Sequence, residues 1–185
     1  MLDSLETLIT PRLELKAFTP EVYQRAFTSL TEQEIRSLFG HQTDEAYAME
    51  KDRFEKGMTT FNRSFLFFQL RDKQTQSFLG WCGYHTWYLT HNRAEVFYML
   101  QDEQQRKQKL MTEALLAVLE YGFNTMQLER VEAFVGITNA ASRALLNKFG
   151  FQQEGVFRKH YRINGVNEDS LAYGLIKEEF AKPQS

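Results

Sequence analysis

The stretch RAEVFYMLQDEQQRKQKLMTEA, residues 93–114, decides how the chain is read. It reads as a strand, a polar turn and the start of a long helix. The strand is Ala94–Leu100, with Glu95, Phe97 and Met99 on one side and Val96 and Tyr98 on the other. The polar run Gln101–Lys109 ends it. Leu110, Met111, Ala114, Leu115, Val118 and Tyr121 then recur at the spacing of one buried helix face. A strand that runs into a helix N-terminus leaves backbone N–H groups unpartnered, and the helix dipole adds positive potential there. Such a turn suits an anion, commonly a phosphate, and this one carries Arg106, Lys107 and Lys109. A solvated lysine-rich turn would show the same residues.

Upstream, Leu8–Lys16 alternates as a first strand. Thr19-Pro20 opens a helix to about Ser29, and Thr31 with Glu34 forms a capping box for a second that stops at Gly40. A third helix covers Thr43–Lys56 and ends at Gly57. Arg63–Arg71 and Phe78–Tyr88 are strands around a polar turn, and Gly80 and Gly83 suggest a bulge in the second. Downstream, Arg130–Val135 is a strand and Asn139 caps a helix Ala140–Phe149 closed by Gly150. Phe151–Arg158 and Ser170–Lys177 are two last strands, joined by a turn containing Asn164-Gly165. The tail 181–185 is polar and expected to fray. The order β-α-α-α-β-β-β-α-β-α-β-β predicts an α/β (α+β) fold, a mixed sheet of about seven strands flanked by helices.

The 185 residues suit one domain, 1–185, with a substantial core. A net charge of −2 gives no field of one sign, so neither nucleic acid nor a charged membrane is an expected partner. No apolar run has membrane-spanning length and no secretory pattern opens the chain. Cys82, the lone cysteine, lies in an apolar run and reads as a buried structural thiol, consistent with a reducing, cytoplasmic setting. His85, His91 and His160 are too scattered to suggest a metal site. Trp81, Tyr84, Trp87, Tyr88 and Tyr161 could line a pocket, though core packing explains most of them.

Five segments together resemble the GNAT N-acetyltransferases, and within them the branch that acetylates ribosomal-protein N-terminal amines. They are TPRLELKAFTPE, AEVFYML, LMTEAL, TNAASRALLNKFGFQQEG and NGVNEDSLAYGL, in the family's order and spacing over nearly the whole chain. The family's central strand is usually A-E-I-G-Y-W-L, and its phosphate loop is Q/R-x-x-G-x-G/A. Here the loop falls on Arg106-Lys107-Gln108-Lys109-Leu110-Met111, with Lys109 in the glycine position and Met111 in the small one. A left-handed lysine would cost about 1–2 kcal/mol. A right-handed first helical turn, free of that cost, is the expected conformation, and Lys109 could add a point charge toward phosphate.

The resemblance implies acetyl-CoA as co-substrate. It would be held by Arg106, Lys107, Gln108, Lys109, Leu110, Met111 and Thr112 at the pyrophosphate, by Met99 and Leu100 along the pantetheine, and by Asn139 at the same arm. Glu95 matches a general base of several relatives. The chemistry needs one, because an α-amine has a pKa of about 7.7–8.0 and a lysine amine about 10.4. The alternative for Glu95 is a place on an exposed strand face or an ion pair with Arg93 or Arg130. Many relatives carry a tyrosine acid where this chain has Leu146, which leaves Ser142 as a hydroxyl donor to the leaving sulfur. Partners implied are an amine acceptor, either a protein N-terminus or a small molecule, with a second copy of the chain, as a homodimer, left open. A non-catalytic CoA-binding or partner-binding relative is the second function class, because the loop lacks its glycine and the tyrosine acid is missing.

Overall fold

The structure is a computed structural model that describes residues 5–181, apart from the side chain of Arg106. The tail from residue 182 lies outside the described residues. Strands are β1 (Thr7–Ile9), β2 (Leu13–Phe18), β3 (Arg63–Asp72), β4 (Phe78–Tyr88), β5 (Arg93–Leu100), β6 (Arg130–Gly136), β7 (Gln152–Ile163) and β8 (Val166–Ile176). Helices are α1 (Pro20–Ser29), α2 (Glu32–Phe39), α3 (Asp44–Glu55), α4 (Leu110–Asn124) and α5 (Ala140–Lys148), with 3-10 turns at Glu103–Gln108 and Lys177–Glu179. The eight strands form one sheet in the order β1-β2-β3-β4-β5-β6-β8-β7. Every pair is antiparallel except β5 and β6, which α4 connects as a parallel crossover.

Helix boundaries follow local chemistry. Thr19, Thr31 and Thr43 cap α1, α2 and α3 through their side chains, and α2 has the full capping box with Glu34. Gly40 ends α2 in the left-handed conformation. The sheet then separates two cores. On one face α4 and α5 pack Leu115, Val118, Leu119 and Leu146 against Leu15, Phe68, Tyr84 and Val131. On the other, α1 and α2 enclose Phe18, Tyr23, Phe39 and Phe65. Deleting a ring such as Phe68, fully buried, should cost about 3–5 kcal/mol.

Three expectations are corrected. The first strand is two, β1 and β2, because Pro11 cannot donate to a ladder and the chain reverses around it. That raises the strand count from seven to eight. The last two strands run much further than expected, to a two-residue turn at Asn164 and Gly165, both at positive φ. Their ladder absorbs an irregularity between Phe157 and Tyr161, where Lys159 is also at positive φ. The glycines of β4 divide. Beside Gly80 the ladder to β3 shifts by one residue, whereas Gly83 keeps regular register. Both admit a neighbouring backbone: a Cβ on Gly80 would collide with the Met99 carbonyl, and one on Gly83 with that of Leu66.

Candidate active site

The site is organised by the place where β5 and β6 part. Their ladder runs Arg93↔Arg130, Ala94↔Val131, Glu95↔Glu132 and stops. Beyond it β5 continues to Leu100 and β6 to Gly136, so the β6-facing edge of β5 from Val96 onward has no strand beside it. Hydrogen-bonding backbone along one wall of a wedge is suited to an extended amide chain. Met99 and Leu100 lie on that wall. The Met99 side chain is exposed toward the α1–α3 face, and Leu100 is half-buried against the main core.

Glu95 sits at the apex, on the same face as Phe97 and Met99. Its ion-pair alternative does not hold: Arg93 Nη1 and Arg130 Nε both bind Glu132, at 2.6 and 3.0 Å, and Arg130 also binds Glu154. Among the described residues no arginine or lysine pairs with Glu95. Burial raises its carboxyl, and the neighbouring Glu132 charge adds to this, to about 7. Beside it is the His85 ring, whose Nδ1 lies 3.6 Å from Glu95 Oε2 and 2.9 Å from Thr86 Oγ1. Burial holds His85 below the usual histidine range. A register shift after His85 and a left-handed Thr86 set this part of β4 against Glu95. A carboxyl that titrates near neutrality beside a neutral imidazole is equipped to accept a proton.

The loop expectation needs correction at Lys109. It is left-handed, with φ 59° and ψ 16°, and serves as the N-cap position of α4 without a side-chain cap. Lys109 is the single residue between the 3-10 turn Glu103–Gln108 and α4, and it joins them in the left-handed conformation. Arg12 braces the junction: its Nη1 donates to the Gln108 carbonyl at 3.0 Å and its Nε to Glu113 at 2.7 Å. The side chains of Lys107, Gln108 and Lys109 are exposed. Leu110 is buried and Met111 half-buried in the core, so these two can serve a ligand only through backbone N–H groups. With Thr112 they form the uncapped first turn of α4, a site fit for a pyrophosphate. Arg106 lies within the 3-10 turn.

Asn139 is the N-cap of α5, its Oδ1 accepting from the Ser142 N–H at 3.1 Å. Ser142 is half-buried and lies near the Tyr98 hydroxyl, which is buried with no hydrogen bond of normal geometry. Burial pushes Tyr98 up to about 12, against the pull of Ser142. Tyr98 and Glu95 point to opposite faces of β5. The structure therefore sets Glu95 and Ser142 on two sides of the wedge instead of in contact. Leu146 is fully buried.

On the Glu95 face a cavity of about 740 Å³ opens between α2, α3, β3, β4 and β5. Phe65, Phe67, Trp81, Phe97, Met99 and His85 are among its walls. Its size is that of a small-ligand site.

The acetyltransferase (GNAT) domain profile matches residues 12–152. The chain belongs to the GNAT acetyltransferase family. The uncharacterized N-acetyltransferase YoaA of Bacillus subtilis is 28% identical over 92% of this chain and 96% of its own length. Among solved structures, a GNAT-family acetyltransferase from Bacillus anthracis superposes with TM-score 0.66 at 19% identity, covering 94% of this chain and 99% of that one. The spermidine/spermine N-acetyltransferase SpeG from Vibrio cholerae gives TM-score 0.65 at 18% identity, over 90% and 95%. At those identities the structures show the shared fold.

Within this GNAT fold, sequence reasoning placed the loop and the strand and missed His85 and most of the cavity. Of the aromatics singled out, Trp81 lines the cavity. Tyr84 is core, donating to the Val118 carbonyl at 2.9 Å. Tyr88 lies beneath the guanidinium of Arg93. Tyr161 is raised by burial and by the nearby Glu95 charge. Strand pairing of His85 with Glu95 was the available signal for the histidine, and it required the β4–β5 register. Cys82 is fully buried, and burial pushes its thiol up, which suits a structural role.

Proposed function

We propose that this acetyltransferase moves an acetyl group from acetyl-CoA directly to a primary amine, with Glu95 as general base. The observation that carries the reading is a carboxyl titrating at about 7, placed at the apex of the β5–β6 wedge and on the face of the cavity. Acetyl-CoA would supply the thioester that the amine attacks. The first-turn N–H groups of Leu110, Met111 and Thr112 would bind the pyrophosphate, helped by Lys107 and Lys109 as point charges. The free edge of β5 at Met99–Leu100 and the Asn139 amide would orient the pantetheine. Glu95 would take the ammonium proton, directly or through one water. Ser142 would donate a hydrogen bond to the sulfur, which needs little help because a thiol pKa is about 8.5. The acceptor is an α-amine of a peptide or a small amine.

The test is release of free thiol from acetyl-CoA with a panel of amines. Binding is read separately: at a hundred times the dissociation constant acetyl-CoA adds about 2.7 kcal/mol to stability. Absence of any thermal shift with millimolar acetyl-CoA or CoA would remove the co-substrate from the proposal.

A further inference from the structure

We infer that the preferred acceptor is a monoamine with one large apolar or aromatic group close to the amine, and that polyamines are poor substrates. This rests on the amine transfer proposed above and follows from what the cavity walls offer. Phe39, Phe65, Phe67, Phe78, Trp81 and Phe97 line it. A phenyl-sized group buried there removes about 150–250 Å² from water. At about 25 cal/mol per Å² that is a large share of the binding of a small ligand.

The charges argue against a second ammonium. Glu50 and Arg53 are the charged side chains on the wall, and they pair at 3.1 Å, so they cancel. Glu50 also lies near the Tyr23 hydroxyl, whose proton is held by burial and by the Glu50 charge. His41 and His85, also on the wall, both fall below the usual histidine range, His41 through burial and the Arg36 and Arg53 charges, His85 through burial alone. Both are therefore neutral at pH 7. The ring faces that could hold a cation are largely taken by other rings: Phe65 stacks on Phe67 at 4.5 Å, and Phe97 packs across Phe67 at 4.9 Å. The carboxylate left to receive an amine is Glu95, beside the cavity at His85. One ammonium has a partner there. A second would be buried without one, at a substantial cost.

The experiment measures kcat/KM of the full chain with acetyl-CoA and four acceptors: phenethylamine, a peptide beginning with phenylalanine, a peptide beginning with glycine, and spermidine. The two aromatic acceptors should exceed the other two by about tenfold or more. Their ratio to each other tells whether free amine or peptide is the source. Spermidine or the glycyl peptide matching them overturns the inference and leaves acetyl transfer standing. If no amine is acetylated, thermal shifts by phenethylamine and spermidine alone decide: a larger shift by phenethylamine upholds the inference, and an equal or reversed order overturns it. Arg53→Gln, at a half-exposed position, leaves Glu50 uncancelled and should raise the spermidine-to-phenethylamine ratio several-fold. An unchanged ratio would overturn the charge argument.

Discussion

The two sides of β5 offer a ligand different physics. Toward the α1–α3 face, the strand meets a cavity of rings and a half-buried carboxyl whose proton is held to about 7. Toward α4 it leads into a turn whose offering is backbone N–H groups and exposed lysines. The first side works by desolvation, which perturbs a pKa and favours apolar groups. The second works by dipoles and point charges in high dielectric, which are weaker and screened by salt. Damage to the first should appear in the chemical step, and damage to the second in affinity.

The largest contrast is expected for Glu95→Gln. The amide keeps the shape and cannot take a proton, so turnover at pH 7 should fall about 10²–10⁴-fold while acetyl-CoA affinity is kept. The loss should narrow as pH rises and more acceptor is already neutral. A loss equal at every pH, or full activity at pH 7, would return Glu95 to a structural role. In the parent protein kcat/KM should climb with pH through about 7 as Glu95 ionises.

The same residue makes a stability prediction. An unfolded glutamate loses its proton near 4.3, and the folded Glu95 near 7. Between those values the native state holds the extra proton, so its contribution is full below the lower value and is lost as pH rises through the upper one. Glu95→Gln has no such loss. Holding the proton up to about 7 costs the parent about 3–4 kcal/mol at pH 8, so the variant's melting temperature relative to the parent should be unchanged near pH 4 and higher by roughly 6–16 °C at pH 8, at about 2–4 °C per kcal/mol. A difference that does not vary with pH would show that burial does not hold the proton.

Which features could be read in the sequence follows the same division. The α4 turn is contiguous, so strand, turn and helix start appear in one stretch, and the caps at Thr19, Thr31 and Asn139 are visible because capping is local. The left-handed Lys109 is not legible locally, because the junction it forms is braced by Arg12 from about a hundred residues away. The cavity draws on α2, α3, β3, β4 and β5, and no spacing in the chain encodes it. His85 comes to lie beside Glu95 through the β4–β5 register and the irregularity at Thr86. The splitting of the first strand was signalled by Pro11 and overlooked in favour of the alternation around it.

On the α4 side a smaller effect is expected. Lys107→Ala with Lys109→Ala should raise the KM for acetyl-CoA roughly 2- to 30-fold at low salt with little change in kcat, since exposed charge contacts are worth about 0.2–1 kcal/mol each. The difference from the parent should shrink at high ionic strength, where the Debye length falls below the contact range. A fall in kcat with unchanged KM would place these lysines in the chemical step.

The smallest effect separates the shape of the turn from its charge. Lys109 holds φ 59°, which costs a side-chain-bearing residue about 1–2 kcal/mol. Lys109→Gly removes that strain and adds about 0.5–1 kcal/mol of chain entropy lost on folding. The balance favours the glycine variant by a few tenths to about 1 kcal/mol, so its melting temperature should rise by about 1–4 °C. The same change deletes a positive charge beside the uncapped helix turn, so the KM for acetyl-CoA should increase slightly. A protein that becomes more stable and binds its co-substrate less well would show that the lysine is kept for its charge at the expense of the backbone. If glycine lowers stability, the left-handed conformation at Lys109 is wrong. If it tightens acetyl-CoA binding, the loop gains more from relaxed geometry than it loses in charge, and the lysine has no part in holding phosphate.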